Sequence, residues 1–406
     1  MTVPAIPLSA RVGRIKPSPS MVARLRAQEL KAQGRDIIDL TTGEPDFDTP
    51  AHIREATTAA MAAGETRYAP VNGTLRLRKA IIAKFARENG VTYAADEIVV
   101  GSGAKQVIFN ALAATIGEGD EVIVPAPYWV SYPDMVLACD GTPVIVACGE
   151  NAGFKLTAET LEAAITPRTR WLILNTPSNP TGAFYSADEM TALTEVLKRH
   201  PHVALMTDDI YEHIRFDGGE PVCPVAIAPE LRERTLLVNG VSKTYAMTGF
   251  RIGYGAGPKA LVKAINVIQS QTTSGAASMC MAAAAAALEG DQSFVGEARS
   301  AYRQRRDRAV ELLDAIDGMS CRKPDGAFYV YPSCTGLIGR RRPDGRVLQS
   351  DLDVALYLLE EAGVAVLDGS AYGLSPYLRL SIATSLGAIE EASARIKTAC
   401  DALQRS

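Results

Sequence analysis

The chain has 406 residues, 47% of them hydrophobic and 22% charged, with a formal net charge of -4, the balance of an ordinary globular protein. Its length exceeds the size at which one core keeps growing, so two domains are expected. The charge excludes a general attraction to nucleic acid, and no apolar run reaches the roughly 18 residues that would span a bilayer.

Nothing in the first twenty residues has the apolar length of a signal peptide, and seven scattered cysteines without a Cys-x-x-Cys pair favour reduced thiols in a cytoplasm. His200 and His202 flank Pro201 at an expected helix end. Two ligands on a turn make a poor cage, so no metal is expected. Arg340, Arg341 and Arg342, set between Gly339 and Pro343, read as a solvated loop.

In chain order, Lys16-Pro17-Ser18-Pro19-Ser20 leads into an amphipathic helix from about Ser20 to Gln33 and a short strand, Ile37 to Leu40. Gly43 and Pro45 then force an irregular turn. From Ala95, short apolar runs alternate with helical stretches, the α/β pattern. The run Glu97 to Val100 enters Gly101-Ser102-Gly103-Ala104-Lys105-Gln106 and a helix from Val107 to Ile116. A strand, a glycine turn and a helix N-terminus suit a phosphate. The third glycine of a dinucleotide fingerprint is missing, which argues against a nicotinamide oxidoreductase. Gly253-Tyr254-Gly255-Ala256-Gly257 is a lookalike followed by proline.

Strand Val122 to Pro125 is followed by Trp129, a core or ring-stacking tryptophan. Strand Trp171 to Leu174 runs into the rigid loop Asn175-Thr176-Pro177-Ser178-Asn179-Pro180-Thr181-Gly182. Strand Val203 to Met206 ends at Asp208-Asp209-Ile210-Tyr211, where Asp209 reads as a helix cap. Strand Thr235 to Val238 precedes Ser242 and Lys243, with Arg251 eight residues further on. An ammonium among small and apolar residues is costly to desolvate, so the Lys243 pKa should fall and its amine become available for Schiff-base chemistry. Ser242 and Arg251 read as a hydroxyl and a guanidinium converging on a phosphate. After helices from Lys259, Ala276 and Phe294, a smaller α/β unit closes the chain. In its strand Tyr377 to Ile382, Arg379 and Ser381 share the face opposite Leu378 and Leu380, which is either a solvated edge or a binding face.

The stretch Asn239 to Tyr254 resembles the cofactor-lysine signature of class I aminotransferases, and the other segments fall in the family order from Leu8 to the last helix. The resemblance implies fold type I. A large domain, 49–307, would hold a mostly parallel seven-stranded sheet between helices, with 1–48 and 308–406 forming an arm and a smaller α/β domain. It also implies pyridoxal 5'-phosphate on Lys243, with Asp208 at the ring nitrogen, Tyr211 and Asn179 at the phenolic oxygen, and Trp129 stacked on the ring. Gly103, Ala104, Lys105, Ser242 and Arg251 would meet the phosphate, together with Tyr68 of the other subunit of a homodimer with shared active sites. Arg379 and the Gly43 backbone would bind the substrate α-carboxylate. Lys105, with Lys16 and Ser20, resembles the distal-carboxylate set of a bacterial branch acting on aspartate, 2-oxoglutarate and prephenate, although Ser20 stands where that branch has threonine. An aminotransferase for another amino acid, or a lyase on the same fold, would share every cofactor contact.

Overall fold

The computed structural model describes residues 6–17, 19–217 and 222–405. It opens with α1 (Ala10–Arg14) and α2 (Pro19–Ala32), then β1 (Ile38–Asp39), α3 (Ala51–Ala62) and α4 (Leu75–Asn89). Helix α4 shows how local chemistry sets an element. Thr74 caps its first turn, Gly90 ends it at φ 68°, and Leu77, Ala80, Ile81, Lys84 and Phe85 form a buried stripe at helical spacing. One member of that stripe is a lysine.

The large sheet contains β2 (Ile98–Gly101), β3 (Glu121–Ala126), β4 (Thr142–Ala147), β5 (Thr169–Asn175), β6 (Ala204–Asp208), β7 (Thr235–Gly240) and β8 (Gly253–Ala256). Helix α5 (Ala104–Thr115) follows β2, and α6 (Ser131–Ala138) follows β3. The strand order is β2-β8-β7-β6-β5-β3-β4, with β8 antiparallel to both neighbours and every other pairing parallel. Strands covered on both faces carry continuous apolar runs, which is why Leu236, Leu237 and Val238 are fully buried. The carboxyl ends of β5, β6 and β7 then deliver Asn175, Asp208 and the Lys243 loop to one side of the sheet.

Later in the chain, β9 (Tyr329–Val330), β10 (Val364–Ala365), β11 (Leu367–Asp368) and β12 (Leu378–Ser381) build two small sheets. β1 pairs with β10 in parallel, bringing the N-terminal segment onto the C-terminal unit, and β12 lies between β11 and β9. Among the described residues no helix is long and apolar enough to cross a membrane.

Three expectations need correction. Helix α5 begins at Ala104, not Val107, because Gly103 at φ 87° starts it and the polar pair Lys105 and Gln106 forms its first turn. The lookalike run needs no correction: its Gly253 and Gly255 lie in strand β8, and a Cβ at Gly253 would overlap the Ala104 nitrogen, so glycine lets the start of α5 press onto the strand. No helix follows Asp209, whose carboxylate accepts from Thr207 Oγ1 at 2.8 Å instead of capping one. Arg342 is buried against the Tyr357 ring and pairs with Glu360 and Glu361, so only part of the arginine loop is solvated.

Candidate active site

Asp208 ends β6 nearly buried. Its Oδ2 accepts from the Tyr132 hydroxyl at 2.7 Å, while Oδ1 is buried without a hydrogen-bond partner. Burial pushes this carboxyl up to about 6, against the lowering pull of the Tyr132 hydrogen bond. A buried acceptor left unpaired costs about 1 to 3 kcal/mol, so the site is built for a donor that a bound molecule supplies. Tyr132 also meets the edge of Trp129, with ring centroids 5.3 Å apart.

Beyond β7, Lys243 Nζ donates to the Gly43 carbonyl at 2.7 Å. Burial lowers its ammonium to about 8; Glu44 opposes the shift, while Arg251 and Arg379 add to it. The turn opposite has no room for a side chain, since a Cβ on Gly43 would lie 2.8 Å from the Tyr329 hydroxyl.

An anion cradle forms beside the lysine. The first turn of α5 offers backbone N–H groups and the positive end of a helix dipole. Arg251, itself at φ 54°, lays its guanidinium where a Cβ on Gly103 would stand, and Ser242 is buried beside Lys243. Lys105 reaches the rim, donating to Ser131 Oγ at 3.0 Å and lying 4.6 Å from the Trp129 ring centroid. Partial burial and the Arg251 charge depress its ammonium.

The other end of the cavity is cationic. Arg379 on the central strand β12 is 3% exposed, which removes the solvated-edge alternative. Its Nη1 donates to Asn179 Oδ1 at 3.3 Å and its Nη2 to the Thr41 carbonyl, while Nε is buried without a partner. Because a guanidinium only donates, Asn179 must turn its amide oxygen toward Arg379 and keep its NH2 as the donor end. The Asn179 backbone N–H donates to Asn175 Oδ1 at 2.8 Å, and Asn175 Nδ2 to the Asp208 carbonyl at 2.7 Å, tying loop to strand. Tyr211 and Tyr329 share a hydroxyl contact of 2.9 Å.

A cavity of about 640 Å³ joins Gly43, Ala104, Lys105, Trp129, Asn179, Asp208, Tyr211, Ser242, Lys243, Arg251 and Arg379. Gly103 stands behind Arg251 and outside the lining. Tyr68 is 99% exposed and also outside it. The Lys16 backbone N–H donates to Asp134 at 3.1 Å, with Lys16 outside the lining as well. Ser20 falls on α2, but its side chain lies outside the described residues. Tyr132 and Tyr329 are site residues that sequence reasoning left without a role. The signal for Tyr132 was its place one helical turn after Trp129; for Tyr329, a hydroxyl-bearing ring inside an apolar strand.

The unpartnered Asp208 oxygen, the amine of Lys243 and the glycine-shaped cradle fit a cofactor with a basic ring nitrogen, a carbonyl and a phosphate. Residues 35–396 match the family described as aminotransferase class I and II. The chain is 53% identical over 395 residues to an aspartate aminotransferase of Rhizobium meliloti (strain 1021), covering 97% of this chain and 96% of that one. It is 52% identical over 396 residues to an aspartate/prephenate aminotransferase of Cereibacter sphaeroides, covering 98% and 99%. The crystal structure of a Rhizobium meliloti aspartate aminotransferase superposes with a TM-score of 0.97 at 52% identity, covering 98% of this chain and all of that one. A Thermus thermophilus aspartate aminotransferase with maleate superposes at 0.91 and 41% identity, covering 97% of this chain and all of that one. With that architecture and this cavity, the chain belongs to the class I and II aminotransferases, enzymes of fold type I that depend on pyridoxal 5'-phosphate.

Proposed function

We propose that this enzyme moves the amino group of L-aspartate to 2-oxoglutarate in two successive half-reactions, with prephenate as a further acceptor. The observation that carries the reading is the meeting of Lys243, the unpartnered Asp208 oxygen and Arg379 in one cavity. When bound, pyridoxal phosphate supplies an electrophilic carbonyl and a ring that withdraws electrons from the substrate Cα. Asp208 Oδ1 would accept from the protonated ring nitrogen, and the Asn179 NH2 and Tyr211 hydroxyl would donate to the phenolic oxygen. The α5 N-terminus, Ser242 and Arg251 would hold the phosphate, with Trp129 against the ring. Arg379 would grip the α-carboxylate as a fork. Lys243 Nζ would take the Cα proton as general base and then, as general acid, give that proton up to a different carbon rather than back to Cα.

In this reading, residues 49–307 form the cofactor domain, while 1–48 and 308–406 form the unit that carries Arg379. Support comes from the pairing of β1 with β10. The working form is a homodimer in the cytoplasm, where the seven cysteines stay as thiols. A tyrosine as exposed as Tyr68 fits a ring that completes a neighbour's phosphate site. Sedimentation should give a dimer, and a fully active monomer would contradict the shared site.

The acidic substrate rests on Lys105, a cation at the rim that a distal carboxylate could reach. The relatives' names and the dicarboxylate maleate bound by the Thermus enzyme support the same choice. Lys105→Ala should lower kcat/KM for aspartate by about tenfold, the worth of one partly desolvated ion pair, and leave alanine almost unchanged. The test is kcat/KM across aspartate, glutamate, alanine, phenylalanine and prephenate. Alanine or phenylalanine outrunning aspartate in the wild type, or an equal loss for all substrates in the variant, would overturn the acidic preference and leave the aminotransferase standing.

A pH dependence follows from Lys243. Only the neutral amine attacks a carbonyl, and with its ammonium held near about 8 the amine is present above that pH and lost below it. Capture of the cofactor by apoenzyme should therefore rise about tenfold per pH unit up to about 8 and then level off. Stopped-flow absorbance checks this, and a rise continuing to pH 10 would mean that Lys243 is not depressed.

A further inference from the structure

The turn after β6 and the loop after β7 send side chains to opposite sides. Asp208 and Tyr211 line the cavity while Glu212 and His213 do not; Ser242 and Lys243 line it while Thr244 does not. The side chains that turn away meet in a partly buried polar cluster with α4. Lys84, 1% exposed, pairs with Glu212, 7% exposed, and donates to Asn89 Oδ1 at 2.8 Å. Glu212 also accepts from Asn89 Nδ2 at 3.1 Å and from Asn239 Nδ2 on β7 at 2.6 Å. The His213 imidazole spans from Glu88 Oε2, at 2.9 Å, to Thr244 Oγ1, at 3.2 Å.

Glu88, Glu212 and His213 bring ligand atoms within 4.8 Å of one another, a spacing that could suit a cation. That place is already taken by a cation of the chain, since the Lys84 ammonium pairs with Glu212 and lies 3.6 Å from Glu88. Although burial raises both carboxyls, His213 and Lys84 pull Glu88 down to about 2, and Lys84 first among its partners pulls Glu212 below its usual range. The cluster is therefore a charged, hydrogen-bonded internal brace.

Residues 209–214 belong to no helix or strand; backbone hydrogen bonds anchor the two ends of this turn, Asp209 N–H to the Val238 carbonyl at 2.9 Å and the Ile214 carbonyl to Ala327 N–H at 2.8 Å, while the side chains of Glu212 and His213 between them reach the polar cluster. Glu212 follows Tyr211 directly, and Thr244 follows Lys243. We infer that Glu212, braced by Lys84 and Asn239, and His213, bridging Glu88 to Thr244, are positioning residues that lock the Tyr211 turn and the Lys243 loop to each other and to α4. Neither residue touches the reaction. Their work is to hold the lysine amine and the tyrosine hydroxyl in a fixed relation, where small displacements carry large rate penalties.

This inference rests on Lys243 being the cofactor lysine. The test uses the holoenzyme and three variants: Thr244→Val, which removes the hydroxyl but keeps the shape; Thr244→Ser, which restores it; and the double replacement Lys84→Met with Glu212→Gln, which removes the buried ion pair as a unit. Four quantities are measured: kcat, KM, thermal midpoint, and the pH midpoint of the absorbance band of the Lys243-linked cofactor. Thr244→Val and the double variant should lose about tenfold in kcat with KM nearly unchanged. Their spectral midpoint should move by about half a pH unit or more, and Thr244→Ser should regain wild-type values. The inference is overturned if both keep wild-type kcat and spectral midpoint while only the thermal midpoint falls, because the cluster would then be purely structural. A wild-type enzyme whose band does not depend on Lys243 would instead refute the cofactor assignment.

Discussion

Lys243→Ala is expected to lower kcat by about 10⁴-fold or more, near the upper end of what a positioned acid–base group supplies and with its covalent attachment lost as well. The environment explains why so much rests on one side chain. Lowering an ammonium from 10.5 to about 8 makes the neutral amine present at pH 7 in about one molecule in ten, some 300-fold more than for an ordinary lysine. The same site keeps Asp208 and Glu44 close enough to favour the charged form, so the amine can both lose and regain a proton near neutrality. Folding should survive the change. The truncation leaves only the Gly43 carbonyl short of a donor, about 1 kcal/mol, and it removes a cation whose burial was itself costly. Loss of activity with a thermal midpoint within a few degrees of wild type, and loss of the absorbance band at ~400 nm, would assign the effect to chemistry. A variant that turned over amino acid at the native rate would end the assignment.

What could be read from the chain alone follows from where each feature gets its energy. Strands β5, β6 and β7 are legible because burial on both faces demands unbroken apolar runs, and their ends point to Asn175, Asp208 and Lys243. The depressed lysine was legible for the same reason, since its apolar company is local. β4 was not legible: it lies at the sheet edge, carries Pro143 and alternates between half-buried and exposed positions. β8 was hidden by glycines whose purpose, close approach of α5, exists only in three dimensions. The same holds for the partners of the site. Tyr132 and Asp208 are 76 residues apart in sequence, Tyr211 and Tyr329 are 118 apart, and Lys84 and Glu212 are 128 apart. A lysine on the apolar stripe of α4 was the one local sign that a buried acid awaited it.

Arg379→Lys should lower kcat/KM by about 30- to 1,000-fold, equivalent to 2 to 4 kcal/mol, for every amino acid tested. Charge is conserved in this variant, so the loss measures geometry. The guanidinium is fixed by Asn179 and Thr41 on one side, and it lies 4.5 Å from the Tyr329 ring centroid and 5.4 Å from that of Tyr372. Its Nε is buried and unpartnered, so a carboxylate would satisfy a donor that the folded chain leaves waiting. An ammonium on a flexible stem cannot reproduce a planar fork, and it would compete for the Asn179 oxygen that orients the amide toward the cofactor. Cofactor binding should persist, since Arg379 is not among the groups proposed to hold the phosphate or the ring nitrogen. The pattern across substrates separates this residue from Lys105. Because every amino acid has an α-carboxylate, Arg379→Lys should depress aspartate, alanine and phenylalanine together, whereas Lys105→Ala should single out the acidic ones. A variant within a factor of two of wild type would show that the α-carboxylate binds elsewhere. A loss confined to aspartate would move Arg379 to the distal carboxylate, reversing the polarity of the substrate in the cavity.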